Sequence, residues 1–169
     1  MNLKDYLIEL YNYNYWANKR YVVVAETLTN EQLFHKHGHS WENVHNILVH
    51  MMSSERMWRL RWLGEPADTL EAKDFSNIES IKTYWVDVEK NMRNFIDEQT
   101  EQSLIKEVSY TNPKGETFTL LLWQMMIQPP NHNTHHRGEL AAMFALMNVS
   151  HSEEEVIQYF LDKSGQKKF

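Results

Sequence analysis

The chain has no cysteine. That excludes disulfides, thiolate nucleophiles and zinc sites built on Cys. Glycine and proline are scarce, five and four in 169 residues, less than half of the roughly 12% that average usage supplies. So few turn formers argue against a many-stranded sandwich or barrel. Basic charge is in deficit as well. Lys and Arg number 17 against 23 Asp and Glu, a net charge of −6. Duplex-binding chains ordinarily carry a basic excess, so no nucleic-acid partner is expected. No run approaches the ~18 unbroken apolar residues of a membrane span. The opening Met1-Asn2-Leu3-Lys4-Asp5 lacks the basic-then-apolar form of a signal peptide. The expectation is a cytoplasmic protein with no membrane partner. A P-loop, a dinucleotide fingerprint and a Gly-x-Ser-x-Gly elbow are also missing.

What is present is an ordinary globular composition, 42% hydrophobic and 24% charged, at a length that suits one domain over residues 1–169. Leu3, Leu7, Leu10, Asn14, Ala17, Tyr21, Val24 and Leu28 alternate spacings of three and four, which predicts a bundle helix from Leu3 to Leu28. Asn14 is the polar exception on that seam. Thr29 and Gln32 have capping-box spacing for a short turn. A second helix is expected from Trp41, with Ser40 as N-cap, to Leu63, with Gly64 as its stop. A third is expected over Ile78–Gln99. Val108 to Thr119 reads as a hairpin around Asn112-Pro113-Lys114-Gly115. A fourth helix is expected over Leu120–Met147, and a short last one to Lys163 opened by a Ser152/Glu155 capping box. The predicted fold is all-α: a four-helix bundle with a short β-hairpin before the last long helix.

Chemistry concentrates in Asn131-His132-Asn133-Thr134-His135-His136-Arg137-Gly138-Glu139. His132 and His136 are four apart, one turn apart on one helix face, the spacing with which two imidazoles bind one metal ion. The apolar face continues through Leu140, Met143 and Met147, and unmatched imidazoles facing a core are costly. His135 points elsewhere, toward solvent. Asn133 stands where a zinc protease needs Glu. A third ligand is available in His50, flanked by Ile47, Leu48, Met51 and Met52 on the second helix. Hydrogen-bonded core histidines remain the plainer alternative for each alone. Three histidines from two helices would leave a coordination position open, the catalytic arrangement.

Tyr15-Trp16-Ala17-Asn18 on the first helix, Ile47-Leu48-Val49-His50 on the second and the late Asn131-His132-x-x-x-His136-Arg137-Gly138 together resemble the DinB/YfiT-like superfamily over essentially the whole chain. The resemblance implies a four-helix bundle with a divalent-metal site of three histidines, here His50, His132 and His136. It also implies relatedness to metal-dependent thiol S-transferases and thiol-dependent isomerases, and makes a homodimer plausible. Two departures stand out. Glu139 replaces the Gln that often follows His-Arg-Gly. It lies on the same face as both histidines and suits a fourth ligand, a hydrogen-bonding partner or a general base. Pro129-Pro130 falls inside the expected fourth helix, so either that helix kinks or a new one starts near Pro130.

The expected function is binding of one divalent transition metal, zinc or nickel, to activate a low-molecular-weight thiol cosubstrate or water against a small electrophilic substrate. Glu139 is the candidate catalytic base. A metal-dependent hydrolase and a non-enzymatic, metal-stabilised binding protein are the alternatives. Weaker candidates are the His35, His37, His39 loop, a pocket lined by Trp16 and Tyr13 with Trp58 opposite, and Arg137, read as half of a structural ion pair.

Overall fold

The computed structural model describes residues 1–38, 41–112, 114–151 and 154–167. Helix α1 (Leu3–Glu26) opens on a capping box between Asn2 and Asp5, and α2 (Asn30–Leu33) on the expected Thr29/Gln32 box. Helix α3 spans Val44–Leu63 and α4 spans Ile78–Asp97, capped by Asn77. A short α5 (Glu101–Leu104) leads to the antiparallel hairpin of β1 (Glu107–Thr111) and β2 (Thr117–Leu121), paired from Glu107↔Leu121 to Thr111↔Thr117. Then come α6 (Leu122–Met126), α7 (Gln128–Leu146) and α8 (Val156–Lys163). The four long helices form the bundle: α1 and α3 each pack against both α4 and α7. No helix among the described residues is long and apolar enough to cross a membrane.

The starts of α3 and α8 differ from the sequence reading, and of the two outcomes left open at Pro129-Pro130 the structure takes the second, a new helix rather than a kink. Helix α3 starts at Val44 rather than Trp41. Glu42 has φ 62, in the left-handed region that breaks a helix, and the Asn43 side chain caps the Asn46 amide at 2.9 Å. Ser40, the expected cap, lies outside the described residues. The expected fourth helix is two. It breaks at Ile127, and α7 starts at Gln128 with Pro129 and Pro130 in its first turn. There a missing N–H costs nothing, because first-turn amides have no partner within the helix. The first α7 bond to form is Asn131 N to the Ile127 carbonyl, 3.2 Å. Glu155 serves as the α8 N-cap, with the Gln158 side chain returning to its amide, rather than as the third helical residue. Ser152 and the turn residue Pro113 lie outside the described residues.

The core is two apolar clusters with a polar layer between them. One gathers Ile47, Met51, Ile81, Leu140 and Phe144, and the other Leu7, Tyr11, Trp62, Met92 and Met126. On α1 the second cluster precedes the layer and the first follows it, and on α3 the order is reversed; the layer falls at Asn14, Asn18, Glu55, Asn133 and Arg137, with the indole of Trp85, a residue of the first cluster, reaching into it. Glu55 has no exposed surface. Its Oε1 accepts from the side-chain amides of Asn14 and Asn18, each at 3.2 Å, and of Asn133. Its Oε2 accepts from the Trp85 indole at 3.4 Å. Arg137 is 1% exposed and donates to the Asn18 and Asn14 side-chain oxygens at 2.7 and 3.2 Å, and to Thr134 at 2.7 Å. The expected direct ion pair of Arg137 is therefore replaced by an indirect one, with Asn14 and Asn18 bridging guanidinium to carboxylate.

Burial pushes the Glu55 carboxyl up to about 7, against the amide hydrogen bonds that pull it down. Raised above the unfolded value near 4.5, it makes the folded state the better proton binder between those values. Stability from this group is then full below about pH 4.5 and lost as pH rises to about 7. Glu55→Gln removes that dependence. Urea unfolding of both proteins at pH 5 and pH 8 is expected to show the variant gaining on wild type by on the order of 3 kcal/mol across the interval. Parallel pH profiles would contradict the assigned shift.

Candidate metal centre

His50 sits two turns into α3, and His132 and His136 occupy successive turns of α7 where that helix packs on α3. Their Nε2 atoms converge. His50 Nε2 lies 2.9 Å from His132 Nε2, which lies 3.2 Å from His136 Nε2. The three rings stand at 69–86° to one another. A neutral imidazole carries one ring proton, so three nitrogens meeting at a point cannot all satisfy each other. A tetrahedral ion with bonds of about 2.0–2.1 Å sets its nitrogens roughly 3.3 Å apart. The observed spacing is close to that, and the donor set can hold a divalent transition metal.

The surroundings keep these nitrogens available. His136 is 3% exposed, and His50 and His132 are half-buried. Burial pushes the His50 imidazole down to about 3 and His132 to about 4, with the neighbouring imidazoles acting in the same direction. Both are therefore neutral at physiological pH, the state that binds metal. Glu139 Oε2 lies 2.6 Å from His136 Nδ1, the ring nitrogen away from the convergence point. A proton on Nδ1 donated to Glu139 leaves the Nε2 lone pair free. The other Glu139 oxygen is 3.6 Å from the exposed His135 ring. Trp41 stacks on His50 with ring centroids 3.6 Å apart and meets His136 edge-on at 6.2 Å.

The three histidines singled out from sequence are thus brought together, and Glu139 joins them through His136. His135 is exposed, as expected. His35 and His37 pack ring against ring elsewhere, and His39 lies outside the described residues. Trp16 and Trp58 do not face each other. Trp16 donates to Asp162 of α8 at 2.8 Å, whereas Trp58 packs on Trp62 and Tyr110 beside the hairpin. Two contributors went unrecognised. Trp41, assigned to a helix, is a loop residue folded onto His50. Glu55 was not singled out from the sequence, although its position between Met52 and Trp62 on the apolar face was a usable signal.

One transition-metal ion per chain is the expected stoichiometry. His50→Ala or His136→Ala should abolish most binding in a chelator competition, and full retention in both variants would exclude the site. Glu139→Gln keeps the side-chain size but weakens the acceptor at His136 Nδ1. It is expected to cost about tenfold in metal affinity, ~1.4 kcal/mol. A loss as large as that in His136→Ala would make Glu139 a ligand instead.

Comparison with known proteins agrees with this architecture. A curated relative, Protein DinB of Bacillus subtilis (strain 168), is 24% identical over 150 residues, covering 83% of this chain and 86% of that protein. The family model described as DinB family matches residues 1–152, a stretch that holds the whole bundle and all three histidines and leaves only α8 beyond it. The chain belongs to the DinB family.

Proposed function

We propose that this protein is a metal-dependent enzyme in which His50, His132 and His136 hold one zinc or nickel ion and a small molecule takes the remaining coordination position. The observation that carries the reading is the convergence of three Nε2 atoms in a cluster only partly closed by protein. A bound ion of this kind lowers the pKa of a thiol or water ligand and so supplies a nucleophile at neutral pH. The chain's own residues do the rest. Glu139 orients His136 and holds the Nδ1 proton. Trp41 covers one face of His50 and limits its rotation. Asn133 and Arg137, each one residue after a histidine on α7, lock that helix into the polar layer and set the angle at which His132 and His136 meet α3. The chain has no cysteine, so a thiol nucleophile would come from a cosubstrate; the resemblance to metal-dependent thiol S-transferases supports transfer of such a thiol to a small electrophile.

The test is consumption of a fluorogenic alkylating agent by the zinc- or nickel-loaded protein, with and without a small thiol. The expected result is saturable, thiol-dependent turnover that His136→Ala removes. Turnover without thiol would favour a hydrolase, and none at full metal loading would favour a binding protein.

A further inference from the structure

The His136 ring stands between two groups of ligating atoms. Its Nε2 meets His132 Nε2, and its Nδ1 meets Glu139. On the Glu139 side, one nitrogen each of His135 and His136 and one Glu139 oxygen lie within 4.8 Å of one another. The two oxygens of Glu139 divide between the two rings. Oε2 lies 2.6 Å from His136 Nδ1, and Oε1 lies 3.6 Å from His135 Nε2.

The longer of these distances is the informative one. At 3.6 Å the His135 nitrogen and the carboxylate oxygen are too far apart for a hydrogen bond. Two ligands of one tetrahedral zinc ion, each bonded at about 2.0–2.2 Å, stand roughly 3.3 Å from one another. The gap is thus close to that of two atoms sharing an ion, and a small turn of the His135 ring closes the difference. His135 has room to make that turn, because its side chain is 69% exposed. Glu139 is better held, with Oε2 on His136 and its side chain 26% exposed. The two residues are four apart in the interior of α7, so the helix keeps them one turn apart on one face. Imidazole nitrogen and carboxylate oxygen are both ordinary zinc donors, and water can complete the coordination on the exposed side.

We propose that His135 and Glu139 form a second, outer site for a divalent transition-metal ion, separate from the three-histidine centre and joined to it through the Glu139 carboxylate. Oε1 binds the outer ion while Oε2 keeps the proton of His136 Nδ1. The outer site uses neither His50 nor His132. It is the weaker of the two, because it offers two protein ligands in place of three and because an ion bound on the other side of the His136 ring repels a second one. The negative charge of Glu139 offsets part of that repulsion. An outer ion draws electron density from the carboxylate and so weakens the acceptor on which the His136 proton rests. This coupling rests on the metal reading above; the outer site by itself does not.

The test is calorimetric titration of the full-length, metal-free protein with zinc at neutral pH. Wild type is expected to take up two ions, the second at least tenfold more weakly than the first. His135→Ala, at an exposed position, should lose the second and keep the first, and His50→Ala should lose the first and keep the second. His35→Ala, exposed in another part of the chain, should keep both. In the zinc-loaded protein the His136 Nδ1 proton, identified by its coupling to 15N, should move upfield in the NMR spectrum as the second equivalent is added, and should stay in place in His135→Ala. A single binding event that His50→Ala removes, or a second event that His135→Ala leaves intact, would overturn the outer site and leave the metal reading standing. An unmoved His136 proton at two equivalents would overturn the coupling through Glu139. A single event that only His135→Ala removes would keep the outer site and overturn the three-histidine reading instead.

Discussion

A carboxylate with no solvent contact costs several kcal/mol unless its oxygens are bonded, and Glu55 stands at the middle of this bundle with none of its surface exposed. The structure meets that cost by bringing polar groups from the other three long helices: Asn14 and Asn18 from α1, Trp85 from α4 and Asn133 from α7. Arg137 then finds its acceptors in the same two asparagines. Apolar side chains tolerate small rotations of a helix about its axis, because dispersion and burial are not directional. Hydrogen bonds to a buried carboxylate do not tolerate them. The polar layer therefore sets the rotational phase of α7 against α3, and with it the meeting of the histidines.

The placement of that layer links packing to function. Asn133 and Arg137 follow His132 and His136 by one residue each, a rotation of about 100° on a helix. One face of α7 is thereby committed to the bundle centre and the adjacent face to the metal site. The proline pair contributes by starting α7 afresh at Gln128, so the histidines sit in its second and third turns without inheriting a kink from α6. Beyond the family-matched stretch, α8 is tied to α1 through Trp16–Asp162, Lys163–Glu9 and a Tyr159–Glu9 hydrogen bond. It reinforces the α1 side of the bundle, away from the histidines.

Much of this was legible in the residue order. The spacing of three and four along α1 and the four-residue step from His132 to His136 both express helix geometry, which is local. Helix type and most helix ends followed from such patterns. The start of α3 did not, because Trp41 fits an apolar helical stripe as well as it fits a loop, and the left-handed turn at Glu42 has no glycine to mark it. The role of Glu55 was hidden for a related reason. A carboxylate on a helix is ordinarily solvated, and only the convergence of three other helices makes this one buried.

By itself, then, the sequence determined the helical periodicity, the absence of cysteine chemistry, the hairpin and the identity of three histidines able to share a metal. Tertiary structure alone decided that His50 meets the other two, that Arg137 reaches Glu55 through asparagines, and that Trp41 folds over His50. The physical reason is range. Backbone hydrogen bonding and side-chain spacing within a helix act over a few residues, whereas the Nε2 contact from His50 to His132 spans 82 positions and the Asn133–Glu55 bond 78. Contacts of that span exist only once the bundle has fixed how its helices are turned toward one another.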